Sequence, residues 1–338
     1  MNVFQLTFRN FAFFIPCANN KNGVGALCKN RRPTVMKHVF VINPCAGGKD
    51  RSDDIAAELD IIGLDAEIHT TTAPRDATRF VARWLADHPG EGVRFYACGG
   101  DGTLNEVVSG AVGADCEVTC YPCGSGNDYV KYFEGTDFTD LEALTQASSV
   151  EVDVMRVGDR YCINTLNFGF EAEVCRTMAD VRRVPVIGGR MAYTTGIVKS
   201  LATGRRNPCR IMADGEPWFE GDLLLASLAN GRYAGGGYKC APWAENDDGL
   251  MELMSIQPMS IARFAKMIGH YERGEHLDMP ELHDVIRHRR TAHVTIESEH
   301  PFFIATDGEL LEGTRFDVEC LHKALRFAVP AKTLTTNT

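Results

Sequence analysis

Three observations predict an α/β domain followed by a β-rich domain. The chain has 338 residues, which exceeds the usual size of one domain. Apolar strands alternate with amphipathic helices from residue 38 to about residue 135, whereas hairpin-forming strands dominate beyond about residue 140. We therefore expect an α/β plus β fold: an N-terminal α/β domain with a parallel sheet, a C-terminal β-sandwich-like domain, and a ligand cleft between them.

Four segments are predicted along the chain. Met36 lies two residues before the first apolar strand, so we expect the residues up to this point to be a disordered extension, with a start site assigned too far upstream as the alternative. The predicted limits are 1–36 for the extension, 37–138 for the α/β domain, 139–330 for the β-rich domain and 331–338 for a tail.

In the α/β domain, most predicted strands are followed by a predicted helix. The predicted strands are 38–43, 65–70, 93–98 and 117–121, and the predicted helices are 52–62, 75–88 and 103–112. In the second helix, which follows Pro74, Phe80, Val81 and Trp84 share one apolar face. Strands joined through crossover helices lie parallel in one sheet.

The β-rich domain is predicted from strands that are joined by short turns. Gly158-Asp159-Arg160 links the predicted strands 150–157 and 161–168. Further strands are predicted at 209–212, 219–228, 251–256, 292–297, 302–306 and 315–320, with helices at about 171–181, 191–203 and 260–272. This pattern is typical of a mostly antiparallel sheet.

The composition excludes several classes of protein. The formal charge of -10 argues against nucleic acid as the main partner, because that interaction depends on Lys and Arg neutralising phosphates. No apolar run reaches the roughly 20 residues that a membrane-spanning helix needs, and the run at 11–17 is a poor signal peptide. The twelve cysteines are scattered through apolar segments. We therefore predict reduced, mostly buried thiols in a cytoplasmic protein.

Three glycine-containing turns follow strands of the predicted parallel sheet. They are the first turn (43–49, Asn-Pro-Cys-Ala-Gly-Gly-Lys), the second turn (99–103, Gly-Gly-Asp-Gly-Thr) and the third turn (122–128, Pro-Cys-Gly-Ser-Gly-Asn-Asp). Glycine lets the backbone approach a phosphate, and helix N-termini at this edge of a sheet attract anions. The sequence therefore predicts one crevice for a phosphorylated ligand.

The second turn contains one carboxylate, Asp101. An aspartate within an anion-binding turn needs a cation or an acid-base task, and Mg²⁺ carried by a nucleotide would supply that cation. Thr103 is a plausible N-cap, and Glu106 would complete a capping box with it.

The order of these motifs strongly resembles the diacylglycerol kinase catalytic family, specifically its soluble bacterial lipid kinases. The resemblance extends from the three turns through Asn164 to Val174, Asp247 to Leu253 and Thr306 to Glu309, and covers about residues 38–330. It implies ATP in the cleft and transfer of its γ-phosphate to a lipid hydroxyl, with diacylglycerol as the expected acceptor. Two departures from the family pattern are Tyr129, where phenylalanine is usual, and Glu171, where aspartate is common.

The resemblance also implies roles for individual residues. Residues expected at the nucleotide are Asn43, Gly48, Thr70, Thr72, Gly99, Gly100, Asp101, Gly102, Thr103, Gly124, Ser125 and Asn127. Asp101, Asp128 and Asp153 are expected to form a network with water and Mg²⁺, and Asp248 is expected at a separate structural Mg²⁺ site. The expected catalytic residues are Glu309 as general base, Asp101 and Asp307.

Several alternatives remain open from the sequence. Cys116, Cys120 and Cys123 have the spacing of an iron-sulfur motif. Asp307-Gly308-Glu309 could be an ordinary hairpin turn, because the same tripeptide recurs at 214–216. NAD kinases share the Gly-Gly-Asp-Gly-Thr motif, and a nucleotide-binding regulator without catalysis is the alternative outside the enzymes.

A lipid acceptor requires access to a membrane. The segment 181–210 contains basic residues and no acidic one: Arg182, Arg183, Arg190, Lys199, Arg205, Arg206 and Arg210. We expect this segment to contact anionic membrane peripherally, although a solvated helical face is the alternative. A homodimer is also compatible with the sequence.

Overall fold

The computed structural model describes residues 36–169 and 207–332. All of these residues belong to one compact unit of the chain. The predicted extension up to residue 35, the predicted helices 171–181 and 191–203, most of the basic segment 181–210, and residues 333–338 lie outside the described residues.

The α/β domain contains a parallel sheet whose strands follow the order β2-β1-β3-β4. Its strands are β1 (Lys37–Ile42), β2 (Ala66–Thr70), β3 (Val93–Gly99) and β4 (Glu117–Pro122), and its helices are α1 (Ser52–Ile62), α2 (Asp76–Asp87) and α3 (Asp101–Ala111). β3 is buried along its whole length, as expected for a central parallel strand. The sequence prediction of the strands and helices in this domain is confirmed to within two residues at every element end.

The β-rich domain is mostly antiparallel. Its strands are β5 (Ser148–Val157), β6 (Arg160–Cys162), β7 (Thr165–Gly169), β8 (Asn207–Ala213), β9 (Glu216–Leu223), β10 (Leu225–Ala229), β11 (Met251–Ile256), β12 (Ile286–Thr291), β13 (His293–Thr306) and β14 (Glu309–Val329). Its helices are α4 (Leu141–Thr145) and α5 (Ile261–Arg273). Short 3-10 helices are Ala46–Gly48, Tyr129–Tyr132, His276–Asp278 and Pro280–Leu282. The predicted α/β plus β fold is therefore confirmed.

The last strand, β14, joins the parallel strands of the α/β domain to the antiparallel strands of the β-rich domain in one continuous sheet. Its first half pairs antiparallel with β13, whereas Arg326 and Phe327 pair parallel with Glu117 and Val118 of β4. Leu325 and Phe327 pack in the hydrophobic core of the α/β domain. The end of the chain thus contributes to both domains, which the predicted division into consecutive domains did not include.

The structure corrects the predicted strands of the β-rich domain at several places, one of which is the predicted strand 219–228, divided into β9 and β10. The predicted strand 161–168 is divided into β6 and β7, because the backbone N–H groups of Ile163 and Asn164 donate to the carboxylate of Asp307. β12 was not predicted because four of its six residues, 287–290, are Arg or His. These basic residues pair with acidic side chains and with a carbonyl on neighbouring elements.

Two further observations concern the helices and the cysteines of the described residues. No helix in the described ranges is both long and apolar enough to cross a membrane. The described cysteines are free thiols, and most of them are buried.

Candidate active site

The three glycine-containing turns lie against one another at the carboxyl edge of the parallel sheet. The Asn43 side-chain Nδ2 donates to the Thr103 hydroxyl over 3.0 Å, which joins the first turn to the second. The Cys123 backbone N–H donates to the Gly99 carbonyl over 2.8 Å, which joins the third turn to the second. The turns therefore form one continuous backbone surface, as the sequence predicts.

Most glycines in this surface are required by the contact between turns. A Cβ added to Gly124 would lie 2.4 Å from the Gly100 Cα, and one added to Gly47 would lie 2.2 Å from the Cys123 carbonyl oxygen. By contrast, a Cβ on Gly48 or Gly102 would meet nothing within 4 Å. Gly48 and Gly102 thus border open space, where the backbone of the turns is accessible to a ligand.

Asp101 is the first residue of α3. Its Oδ1 accepts hydrogen bonds from the N–H groups of Asp128, over 2.7 Å, and Tyr129, over 3.2 Å. A Cβ on Gly126 would lie 2.8 Å from Asp101 Oδ2. Burial, followed by the neighbouring charge of Asp128, raises the pKa of Asp101 to about 6. The carboxylate is thus held at a helix N-terminus, with Oδ2 directed along the third turn.

The predicted capping box of α3 is wrong. The helix begins at Asp101 with Gly100 as its N-cap and without a side-chain cap, so Thr103 lies inside the first turn of the helix. Glu106 instead accepts hydrogen bonds from the N–H groups of Arg75, over 2.9 Å, and Ala77, over 3.2 Å. Glu106 therefore stabilises the N-terminus of α2 and ties that helix to α3.

The other residues expected at the nucleotide fall into two groups. Thr72 and Asn127 shape their own turns: both the N–H and the hydroxyl of Thr72 donate to Asp76, and Asn127 exchanges two hydrogen bonds with Gly124. Thr70 and Ser125 are exposed at the same edge of the sheet. Their side chains remain candidates for direct contact with a ligand.

Asp307, which was expected to be a catalytic residue, binds three backbone N–H groups in the structure. Its carboxylate accepts hydrogen bonds from the N–H groups of Ile163, Asn164 and Thr165, at distances between 2.8 and 3.4 Å. Burial raises the pKa of Asp307 to about 6. The residue thereby fixes the β13–β14 turn against the link between β6 and β7, so it positions Glu309 two residues later.

Glu309 lines a small cavity between the two domains. The cavity has a volume of about 60 Å³ and is also bordered by Arg75, Asn105, Glu106 and Arg160. Arg160 Nη1 lies 3.3 Å from Glu309 Oε2. The second Asp-Gly-Glu tripeptide is likewise a hairpin turn, but Glu216 is exposed at the start of β9. The tripeptide is thus a turn in both places, and only position 309 borders this cavity.

The expected Mg²⁺ network is not assembled as a cluster. Both oxygens of Asp153 accept protein hydrogen bonds, from Lys323 N–H and His322 on one side and from Gly249 N–H on the other. Within the described ranges, no group of three or more His, Cys, Asp or Glu side chains could hold a metal ion. Mg²⁺ that arrives with a nucleotide needs only one or two protein carboxylates, and Asp101 fits that role through Oδ2.

The expected structural Mg²⁺ site at Asp248 is likewise filled by protein groups. One carboxylate oxygen accepts the Leu250 N–H over 3.0 Å, and the other forms an ion pair with Arg290. Arg290 also lies 3.6 Å from Glu245. A guanidinium therefore occupies the place in which a cation was expected, and the residues present do not fit a metal there.

The iron-sulfur alternative finds no support in the geometry. The Cys116 thiol donates to the Ala111 carbonyl, and the Cys123 thiol donates to the Tyr121 carbonyl. Burial raises the pKa of Cys120 well above its usual value, which disfavours the thiolate that a metal requires.

Comparison with known proteins identifies the family. The model of the diacylglycerol kinase catalytic domain matches residues 37–157, and the model of the YegS C-terminal NAD kinase beta sandwich-like domain matches residues 164–329. A protein of Chromohalobacter salexigens named "Probable lipid kinase YegS-like" is 32% identical over 246 residues, which is 70% of this chain and 76% of that protein. The chain belongs to the YegS-like lipid kinase family.

Other members of the family and solved structures extend the match. A relative of the same name from Stenotrophomonas maltophilia is 28% identical over 88% of this chain and 97% of its own length. The crystal structure of a diacylglycerol kinase from Bacillus anthracis str. Sterne superimposes with a TM-score of 0.65 at 21% identity, covering 88% of this chain and 98% of that chain. The fold of the YegS-like family thus extends over both described domains.

Sequence reasoning missed several residues of this YegS-like site. Lys131 and the glycine loop 235–237 contact Asp128 or lie beside it, and Arg160 pairs with Glu309. A run of three glycines was a signal in the sequence for an unusual backbone. No local sequence pattern indicated that this run contacts Asp128 or that Arg160 contacts Glu309, because each contact joins residues far apart in the chain.

We expect Gly126→Ala to lower stability and activity together, and Gly102→Ala to raise the KM for ATP without lowering stability, because Gly102 borders the space proposed for phosphate. The added methyl at 126 would lie 2.8 Å from Asp101 Oδ2 and must displace that carboxylate or the third turn. The methyl at 102 meets no protein atom, and alanine in a helix favours folding by up to about 1 kcal/mol. Thermal unfolding and the KM for ATP separate the two variants: Gly126→Ala should unfold at lower temperature, whereas Gly102→Ala should keep its stability. Equal unfolding temperatures and activities would contradict this assignment.

The pKa of Asp101 predicts the pH dependence of activity. The residue must be ionised to face a cation, and its pKa is raised to about 6. We therefore expect kcat/KM for ATP, which reports the free protein, to fall as the pH drops through about 6 and to level off above pH 7. An initial-rate profile at nucleotide concentrations well below KM measures this limb, and a flat profile between pH 5 and pH 7 would argue that Asp101 does not need its charge.

Proposed function

We propose that the protein is an ATP-dependent lipid kinase that transfers the γ-phosphate of ATP to a lipid hydroxyl, with diacylglycerol as the acceptor and phosphatidic acid as the product. One observation carries this proposal: the three turns around Asp101 are joined by hydrogen bonds, and Glu309 of the β-rich domain shares a cavity with Asn105 and Glu106 of α3, the helix that Asp101 begins. The family membership and the names of the relatives support the lipid acceptor.

Different groups of the site would bind phosphate, neutralise its charge and accept the proton of the acceptor hydroxyl. The accessible backbone at Gly48 and Gly102 is suited to phosphate groups, and Mg²⁺ bound with ATP would neutralise phosphate charge beside Asp101. Glu309 would accept the proton of the lipid hydroxyl as its oxygen bonds to the γ-phosphorus and the bond to ADP breaks. Arg160 Nη1 donates to Glu309 Oε2 over 3.3 Å and so helps to hold that carboxylate in place.

The test is a transfer assay with labelled ATP. Purified protein is incubated with Mg²⁺ and, in separate reactions, detergent-dispersed diacylglycerol, phosphatidylglycerol, a sphingoid base and NAD. Label in phosphatidic acid supports the proposal, and label in another lipid keeps the lipid kinase but replaces the acceptor. Label in NAD alone, or ATP binding without transfer to any acceptor, would favour an NAD kinase or a regulator instead.

We also propose peripheral contact with anionic membrane through the basic segment 181–210, which supports access to a lipid acceptor. Changing Arg182, Arg183, Arg205 and Arg206 together to Ser should reduce sedimentation with anionic vesicles by more than about tenfold, since each basic residue near the surface contributes roughly 1 kcal/mol. Neutral vesicles provide the control. Unchanged sedimentation with anionic vesicles would reject this segment as the contact.

A further inference from the structure

A set of polar contacts joins the α/β domain to the β-rich domain beside Asp101. We call it the interdomain joint: residues 128–134 on one side and residues 232–246 on the other. Its contacts are Gly236 N–H to Asp128 Oδ2 (2.8 Å), Asn246 Nδ2 to Tyr129 hydroxyl (3.2 Å), Asn246 N–H to Tyr132 hydroxyl (3.4 Å), Lys239 Nζ to Glu134 (3.4 Å), Tyr233 hydroxyl to Glu134 (3.3 Å), and the Arg232 guanidinium over the Tyr132 ring (4.7 Å).

Asp128 connects this joint to Asp101. Its side chain is only 7% exposed, and its two oxygens have different partners: Lys131 Nζ at 2.5 Å from Oδ1 and Gly236 N–H at 2.8 Å from Oδ2. The backbone N–H of Asp128 donates to Asp101 Oδ1 over 2.7 Å. The position of the β-rich domain is therefore transmitted to Asp101 through Asp128 and also through the adjacent Tyr129, whose N–H donates to the same Asp101 oxygen.

The loop that contacts Asp128 has a backbone that only glycine adopts easily. Gly235, Gly236 and Gly237 have φ values of 62°, 85° and 124°. Reciprocal hydrogen bonds of 2.9 Å between Ala234 and Tyr238 close the loop. This conformation presents the Gly236 N–H to the Asp128 carboxylate, and side chains at these positions would strain it.

The partners of Asp128 disfavour direct binding of a metal ion. The ammonium group of Lys131 already neutralises Oδ1, so a divalent cation on the same carboxylate would be repelled by Lys131 and would compete with it. A largely buried carboxylate with one cation and one N–H donor is a stable structural unit.

We propose that Asp128 is a positioning residue: Lys131 and the glycine loop 235–237 hold its side chain, and its backbone holds Asp101 in the geometry for phosphoryl transfer. The inference rests on the proposed function only in assigning that transfer to Asp101. The contact between the domains then sets the activity, since loss of the joint moves Asp101 without removing any group that contacts the substrates.

The experiment compares Lys131→Met, Lys131→Arg and Asp128→Asn, with Asp137→Asn as the control. Asp137 is an exposed aspartate near the joint that accepts hydrogen bonds only from Thr139. For Lys131→Met we expect kcat to fall about tenfold while the Mg²⁺ concentration at half-maximal rate stays within about twofold, and Lys131→Arg should restore most of the rate. A large rise in the Mg²⁺ requirement of Asp128→Asn, with no effect of Lys131→Met, would identify Asp128 as a metal ligand and overturn the proposal.

A measurement without catalysis separates this inference from the proposed function. The carboxyl carbon resonance of Asp101, assigned by its loss in Asp101→Asn, is recorded by NMR in the absence of nucleotide and metal. Lys131→Met and Asp128→Asn should displace this resonance, and Asp137→Asn should leave it in place. An unchanged resonance would overturn the positioning role even if the protein phosphorylates lipid, and a displaced one would support it even if no lipid is phosphorylated.

Discussion

Asp101→Asn is expected to reduce phosphoryl transfer by about a thousandfold while the protein stays folded. Asparagine keeps the shape and can still accept the N–H groups of Asp128 and Tyr129, but it cannot offer a charge to Mg²⁺ or phosphate. Initial rates with labelled ATP measure the loss. Asp65→Asn, an exposed aspartate outside the site, is the control and should keep full activity.

The same substitution should not lower stability. Burial raises the pKa of Asp101 from 3.8 to about 6 in the folded protein. Its contribution to stability is therefore fully present below about pH 4 and is lost as the pH rises through about 6, so the ionised group disfavours folding at pH 7. Removing that charge should leave the melting temperature at pH 7 unchanged or higher. A lower melting temperature together with retained activity would show that Asp101 is a structural residue.

Glu309→Gln is expected to reduce kcat by about a hundredfold to ten-thousandfold, the range observed when a general base is lost. Glutamine has the same shape and can still accept a hydrogen bond from Arg160, so the β13–β14 turn should be preserved. The chain offers a matched control in Glu216→Gln, which changes the same tripeptide in another hairpin turn.

Rates for the two glutamate variants with the same lipid acceptor decide the role of Glu309. Loss in Glu309→Gln with full activity in Glu216→Gln supports the base. Full activity in Glu309→Gln would remove it from the mechanism. In that case Glu106, whose pKa is raised by burial and which borders the same cavity, would be the next residue to test.

The α/β domain could be predicted because its information is local. The alternation of apolar strands and amphipathic helices predicts its secondary structure. The rule that ligands bind at the carboxyl edge of parallel strands predicts from the sequence that the three turns lie close together. The glycine and aspartate positions of those turns were likewise visible in the sequence. The sequence did not show which glycines pack between turns and which border open space. The close approach of Gly124 to Gly100 in the structure identifies two that are needed for packing.

The rest of the site depends on contacts between distant residues. Glu106 matched a capping box by spacing, yet it binds the N-terminus of α2, some 30 residues earlier in the chain. Asp153 and Asp248 were expected at Mg²⁺ from their motifs, but their oxygens are taken by His322, Lys323 and Arg290. The return of β14 to the α/β sheet also has no local signal, because a strand does not encode its distant partner.

The proposed function requires that the protein transfers the γ-phosphate of ATP to a lipid hydroxyl in the cleft between its two domains. The most direct measurement is the initial rate of label transfer from ATP to detergent-dispersed diacylglycerol, with Asp101→Asn as the blank and NAD as the acceptor in a parallel reaction. We predict that the label is found in phosphatidic acid with the wild-type chain and is absent with the blank. Label in NAD and in no lipid would contradict the claim.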